Sequence, residues 1–133
     1  MVIAIALACG PDLLVADEPT TALDVTFQRE VLRLISELVH QDGMALLLIS
    51  PDLGVMADTV QQLMVMYAGR MVESGATTTV FQRLAHPYTR GLFAARPQLG
   101  LGLRMKNGTR LATIRGRVPD IHGMPADCAF AAR

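Results

Sequence analysis

The 133-residue chain is 51% apolar, 18% charged and 5% aromatic, with a formal net charge of zero; this suits one compact folded domain and excludes a disordered or fibrous chain. Its two cysteines, Cys9 and Cys128, stand far apart with no CxxC or Cys/His spacing, so neither a disulfide framework nor a zinc site is indicated, and a reducing compartment is the default. The longest apolar runs, residues 2–9 and 45–49, fall short of the roughly 18–20 residues that cross a bilayer.

In chain order, the opening MVIAIALACG carries no positive charge before its apolar run, so it reads as a buried helix over residues 2–8 rather than a secretory leader. Gly10, Pro11 and Asp12 end it, and Cys9 reads as a small buried residue of that helix. Residues 13–16 are wholly apolar, the pattern of a strand buried on both faces of a parallel sheet. From 26 to 41, Phe27, Val31, Leu34, Ile35 and Leu38 repeat at helical spacing, and Asp42-Gly43 provides the stop. A second apolar run at 45–49 completes a strand, helix, strand order, which predicts a right-handed βαβ unit. Residues 63–67 and 71–73 flank Ala68-Gly69, which predicts an antiparallel hairpin on the sheet's edge, with Met64, Met66 and Met71 as packing residues. Short helices are expected around 77–84 and 88–95.

Zero net charge conceals a division. Residues 1–83 hold four Arg against ten acids, giving −6, whereas residues 84–133 hold seven Arg and Lys106 against Asp120 and Asp127, giving +6. The texture changes at the same place, from periodic segments to a Gly- and Pro-punctuated stretch, so a boundary is expected near Leu84. Aromatic residues do not interleave with the basic ones, which argues against a nucleic-acid partner.

Chemistry concentrates where the first strand ends. A strand that delivers Asp17 and Glu18 at its carboxyl end sets two carboxylates at the crevice edge of an open α/β sheet. One can hold a hydrated Mg²⁺ and the next can accept a proton from an attacking water.

The string LLVADEPTTALDVT, residues 13–26, closely resembles the Walker B and D-loop segment of ABC-type ATPases. SPDLGV (residues 50–55) lies where that family carries its switch loop, and VMYAGRMVESG (65–75) resembles the hairpin that follows. HPYTRGLFAARP (86–97), with IRGRVP and PADCAFAAR beyond it, is similar to the ATP-binding subunits of oligopeptide, dipeptide and nickel importers.

The resemblance implies an α/β fold, the C-terminal part of a P-loop NTPase nucleotide-binding domain, with buried parallel strands, an edge hairpin and a short C-terminal extension. Residues 1–83 would be the ATPase part and 84–133 the importer-type extension. It implies ATP and Mg²⁺ as cofactors of a complete subunit, a second ATPase subunit and transmembrane permease subunits as partners, and a peripheral place on the cytoplasmic face of the membrane. Carried over residue by residue, Asp17 would bind Mg²⁺ through water, Glu18 would be the general base, and Asp24 would touch the partner subunit across the nucleotide. Asp24 is also placed to cap the following helix.

Two departures qualify this. A phosphate loop needs GxxxxGK followed by Ser or Thr, yet the single lysine, Lys106, lies between Met105 and Asn107. An LSGGQ-like signature is missing as well, so the sequence reads as roughly the C-terminal half of a subunit, and the isolated chain is expected to be inactive. Second, Pro51 stands where the family has its switch histidine, and proline offers neither a side-chain donor nor an N–H. The alternative reading is a non-hydrolysing remnant that acts as an interaction module. Without neighbouring strands the sheet should expose apolar faces. Cys128 alone cannot close a metal site, so no metal beyond Mg²⁺ at Asp17 is expected.

Overall fold

The computed structural model describes residues 2–95, 113–120, 125 and 127–131. They form two compact units that part between Val60 and Gln61.

The first unit starts with α1 (Val2–Leu7), a turn through Cys9 and Gly10, and β1 (Leu13–Asp17). Helix α2 (Val25–Gln41) leads to β2 (Ala45–Ile49), which pairs with β1 in parallel, Leu14 opposite Leu46 and Asp17 opposite Ile49. This is the predicted strand–helix–strand order. Helix α2 ends as foreseen: Gly43 takes φ +66°, and the Met44 N–H reaches back to the Val39 carbonyl at 3.0 Å, a closure that a Cβ would strain. A further helix, α3 (Leu53–Thr59), follows at once and was not foreseen, because its two turns are too short for a periodic signal.

Burial departs from expectation in three places. Leu14, Ala16 and Leu48 are buried, whereas Leu13 and Val15 on β1 and Leu47 and Ile49 on β2 are 45–53% exposed. A strand's side chains alternate between faces, and no described residue of the unit covers the second face. On α2 the inward residues are Val31, Leu32, Ile35, Leu38 and Val39, so the stripe is rotated from the predicted one and Phe27 and Leu34 lie outside. Helix α1 is mostly exposed, Ile5 at 67%, and Cys9 lies exposed beyond its end rather than buried on it.

The second unit begins with β3 (Gln62–Tyr67) and β4 (Arg70–Ala76), an antiparallel hairpin turned at Ala68-Gly69 with φ of +49° and +75°. Both central residues in the left-handed region make the primed turn that matches strand twist, which glycine accepts freely. Among the described residues these strands pair only with each other. Leu63, Val65 and Tyr67 are buried, and the expected packing methionines Met64, Met66 and Met71 take the open face at 55–61% exposure.

A bulge interrupts the hairpin: Val65 pairs with Glu73 but Met66 pairs with Met71, leaving Val72 over. The extra residue shifts the alternation, so Arg70 and Glu73, three apart, both stand opposite buried residues of β3. Helix α4 (Thr77–Arg83) packs on this ladder through buried Thr77 and Val80, and α5 (Pro87–Ala94) joins it where Phe81 and Phe93 lie 5.9 Å apart. At Gly91 a Cβ would meet Ile114 Cγ1 at 2.9 Å, so glycine lets the later segment lie close against α5. Phe130 returns the 127–131 segment to the hairpin, its ring 5.3 Å from Tyr67 and 5.5 Å from Tyr88.

Candidate functional site

Strand β1 delivers Asp17 and Glu18 to its carboxyl end, both exposed. The Glu18 N–H donates to the Ile49 carbonyl at 2.9 Å, which extends the parallel ladder one step and sets Glu18 beside the end of β2. Two residues beyond Ile49 comes Pro51. The structure therefore brings Asp17, Glu18 and Pro51 to one end of two adjacent strands, the position at which open parallel sheets bind ligands.

The loop after Glu18 is tightly folded. Glu18 and Ala22 hold φ of +45° and +67°, conformations costly for residues with a Cβ. The Thr21 amide donates to the Glu18 carbonyl at 3.1 Å, the Leu23 amide to the Thr20 carbonyl at 3.2 Å, and Thr20 is buried. The Thr21 hydroxyl donates to Glu18 Oε2 at 2.8 Å, leaving Oε1 open. Sequence reasoning missed Thr21, because no spacing rule marks a hydroxyl that folds back on a carboxylate three residues earlier.

Asp24 sits at the end of this loop as the cap of α2. Its Oδ1 accepts the Thr26 and Phe27 amides, each at 3.0 Å, which satisfies two donors that the first turn leaves free. At the other strand end the Ser50 hydroxyl accepts the Asp52 amide at 3.1 Å, and Asp52 Oδ1 accepts the Gly54 amide at 2.7 Å as the cap of α3. Pro51 lies exposed between these two residues. A proline there removes one backbone donor from the strand end, where α3 begins.

Two adjacent exposed carboxylates suit Mg²⁺, which prefers one or two carboxylates and keeps several waters. The residues present fit that ion, whereas the 133 residues contain no glycine-rich loop with lysine to cradle phosphates.

A second cluster, in the other unit, gave no sequence signal. The Glu73 carboxylate accepts the Ala85 and His86 amides, each at 3.0 Å. Partial burial pushes this carboxyl up, but the Thr89 hydroxyl, the two amides and the nearby His86 outweigh it and hold Glu73 below the usual carboxylate range. The Thr89 hydroxyl is fully buried and falls short of hydrogen-bond geometry, so its effect on Glu73 is one of proximity. His86 caps α5 by accepting the Tyr88 amide on Nδ1 at 3.1 Å, and its Nε2 lies 3.6 Å from Cys128 Sγ. The bulge at Val72 hid Glu73 from any reading by alternation.

The first unit, with a carboxylate pair at a parallel strand end followed by a capped loop, is similar in fold to ABC-type ATP-binding domains. In agreement, CbiO1 of Clostridium perfringens, described as part of the ABC transporter complex CbiONQ, superposes with a TM-score of 0.56 at 26% identity, over 68% of this chain and 39% of that one. The branch follows from the sequence. Residues 72–133 match the family model for the oligopeptide/dipeptide transporter, C-terminal region. The dipeptide transport ATP-binding protein DppD of Bacillus subtilis is 47% identical over 100% of this chain and 38% of its own length. The oligopeptide transport ATP-binding protein OppD of Haemophilus influenzae is 44% identical over 100% of this chain and 40% of its own length. A Brucella ovis protein of the peptide-import ATP-binding type is 51% identical over 98% of this chain and 39% of its own. The chain thus corresponds to the C-terminal part of the ATP-binding subunits of oligopeptide and dipeptide ABC transporters, and spans about two fifths of the length of these relatives.

Proposed function

We propose that this chain supplies the Walker B, D-loop and switch segments of an ATP-binding subunit that energises peptide import across a membrane. The supporting observation is the placement of Asp17 and Glu18 beside Pro51 at the ends of two paired strands, together with relatives named for dipeptide and oligopeptide transport. Residues 1–83 carry this catalytic part and residues 84–133 the branch-specific extension. The working assembly pairs two ATP-binding subunits with transmembrane permease subunits on the cytoplasmic face. No helix of the described residues is long and apolar enough to cross a membrane, which accords with a peripheral place.

Bound ATP with Mg²⁺ supplies the phosphoanhydride bond whose hydrolysis drives transport. Asp17 would hold the hydrated Mg²⁺, which would neutralise phosphate charge. Glu18 takes the proton of the attacking water on Oε1, because Oε2 is engaged by Thr21. Asp24 stiffens the start of α2 and presents the preceding loop to the second subunit. Pro51 supplies no donor to the γ-phosphate, so turnover is slow compared with a subunit that has histidine there. By itself the chain does not hydrolyse ATP.

The test is transport. A strain lacking this coding sequence is assayed for uptake of labelled di- and oligopeptides and of nickel; loss of peptide uptake with nickel uptake intact is expected. Unchanged uptake of both overturns the assignment, and selective loss of nickel uptake overturns the substrate class.

A further inference from the structure

The Glu18 carboxylate is held by more than its place at a strand end. Its backbone N–H donates to the Ile49 carbonyl at 2.9 Å and its own carbonyl accepts the Thr21 amide at 3.1 Å, so the residue is tied on both sides of its Cα. The left-handed φ of +45° at Glu18 curls the chain back, and a second positive φ, +67° at Ala22, follows directly after Thr21. Within this turn Thr21 Oγ1 donates to Glu18 Oε2 at 2.8 Å. One residue thus grips both the backbone and the side chain of Glu18. Threonine suits this task, because branching at Cβ restricts χ1 and keeps the hydroxyl pointing one way. Both residues are exposed, where a single hydrogen bond adds little to stability. The strained loop therefore serves the direction of the carboxylate more than the stability of the fold.

We infer that Thr21 is the positioning residue of the hydrolytic base: its hydroxyl fixes the Glu18 carboxylate so that Oε1 faces the attacking water. The inference rests on the assignment of Glu18 as that base. In the step concerned the water oxygen bonds to the terminal phosphorus of ATP, and the water proton passes to Oε1. The bond from that phosphorus to the ADP oxygen breaks, and its electron pair stays with ADP. A carboxylate free to rotate spends part of its time with neither oxygen in line for the proton. Donation to Oε2 removes this freedom and leaves Oε1 without a donor among the described residues. In this role Thr21 acts through Glu18 rather than on the water or the phosphate.

The experiment measures kcat and KM for ATP in the assembled transporter. Thr21→Val keeps the branched shape and removes the hydroxyl at an exposed position, and Thr21→Ala removes it in a second, smaller shape. Both are expected to lower kcat about tenfold with KM within about twofold of the parent, whereas Thr21→Ser, which keeps the hydroxyl, restores kcat to within about threefold. A double-mutant cycle separates positioning from loop stability: on a Glu18→Gln background, Thr21→Val is expected to cause no further loss, since no base is left to orient. Parent-level kcat in either hydroxyl-free variant overturns the inference. So does a Thr21→Ser rate as low as that of Thr21→Val, or a loss of the same size that persists on the Glu18→Gln background. Full turnover in Glu18→Gln alone is a separate result, which removes the base assignment and the inference with it.

Discussion

The Glu73 carboxylate on β4 accepts the backbone amide of His86, thirteen residues later, at 3.0 Å, and thereby holds the residue that caps α5. One side chain thus fixes the hairpin to the first turn of the next helix. Replacing it with glutamine removes the charge that makes these two amide bonds strong. Glu73→Gln is expected to destabilise the chain by about 1–2 kcal/mol, read as a lower denaturant midpoint.

The same residue sets a pH dependence. Its folded-state value lies below that of an unfolded glutamate, about 4.3. The stabilisation is therefore complete above that unfolded value and is lost as pH falls through the lower folded one. Denaturant midpoints measured from pH 7 downward are expected to fall in that acid window for the natural chain. The Glu73→Gln variant is expected to lack this component, and parallel profiles for the two would contradict the assignment.

Asp24 carries two roles that can be separated. As the α2 cap it accepts two amides, and Asp24→Ala is expected to cost about 1 kcal/mol, whereas Asp24→Asn keeps the cap. An assembled transporter with Asp24→Asn then reports the interface role alone. A drop in ATPase rate with an unchanged melting temperature is the expected pattern.

Glu18 and Pro51 make the catalytic reading testable in the assembled transporter. Glu18→Gln is expected to lower ATP turnover about 10²-fold or more, since it removes the proton acceptor without changing shape. Pro51→His is expected to raise turnover by restoring a donor at the strand end. A Glu18→Gln assembly that keeps full turnover contradicts the base assignment, and an unchanged rate with histidine at 51 contradicts the account of proline.

The open sheet face predicts how the isolated chain behaves. Leu13, Val15, Leu47 and Ile49 form an uncovered apolar surface on paired strands, which drives association. Light scattering is expected to show oligomers at micromolar concentration, and a Val15→Lys, Leu47→Lys double variant is expected to reduce them. A monomer with a sharp melt from the natural chain would contradict this.

Local pattern alone determined much of this protein. The apolar runs at 13–16 and 45–49, the helical repeat between them, the Asp42-Gly43 stop and the Ala68-Gly69 turn each depend on neighbours a few residues apart, and all recur in the structure. The positions of Asp17, Glu18 and Asp24 at one strand end and one loop followed from the same local pattern. Tertiary structure decided what short-range pattern does not encode. An apolar strand residue is buried only if another element covers its face, so Val15 and Leu47 lie open although their sequence predicts burial. The rotation of the α2 stripe, with Leu32 inward and Phe27 outward, depends on which side of the helix finds a partner. The Thr21 hydroxyl on Glu18 requires the positive φ at that turn. The meeting of Glu73, His86 and Cys128 joins residues up to 55 positions apart in sequence and depends on a bulge at Val72 and a returning Phe130. Such groups are brought together by packing over long separations, where the sum of many contacts outweighs any local preference.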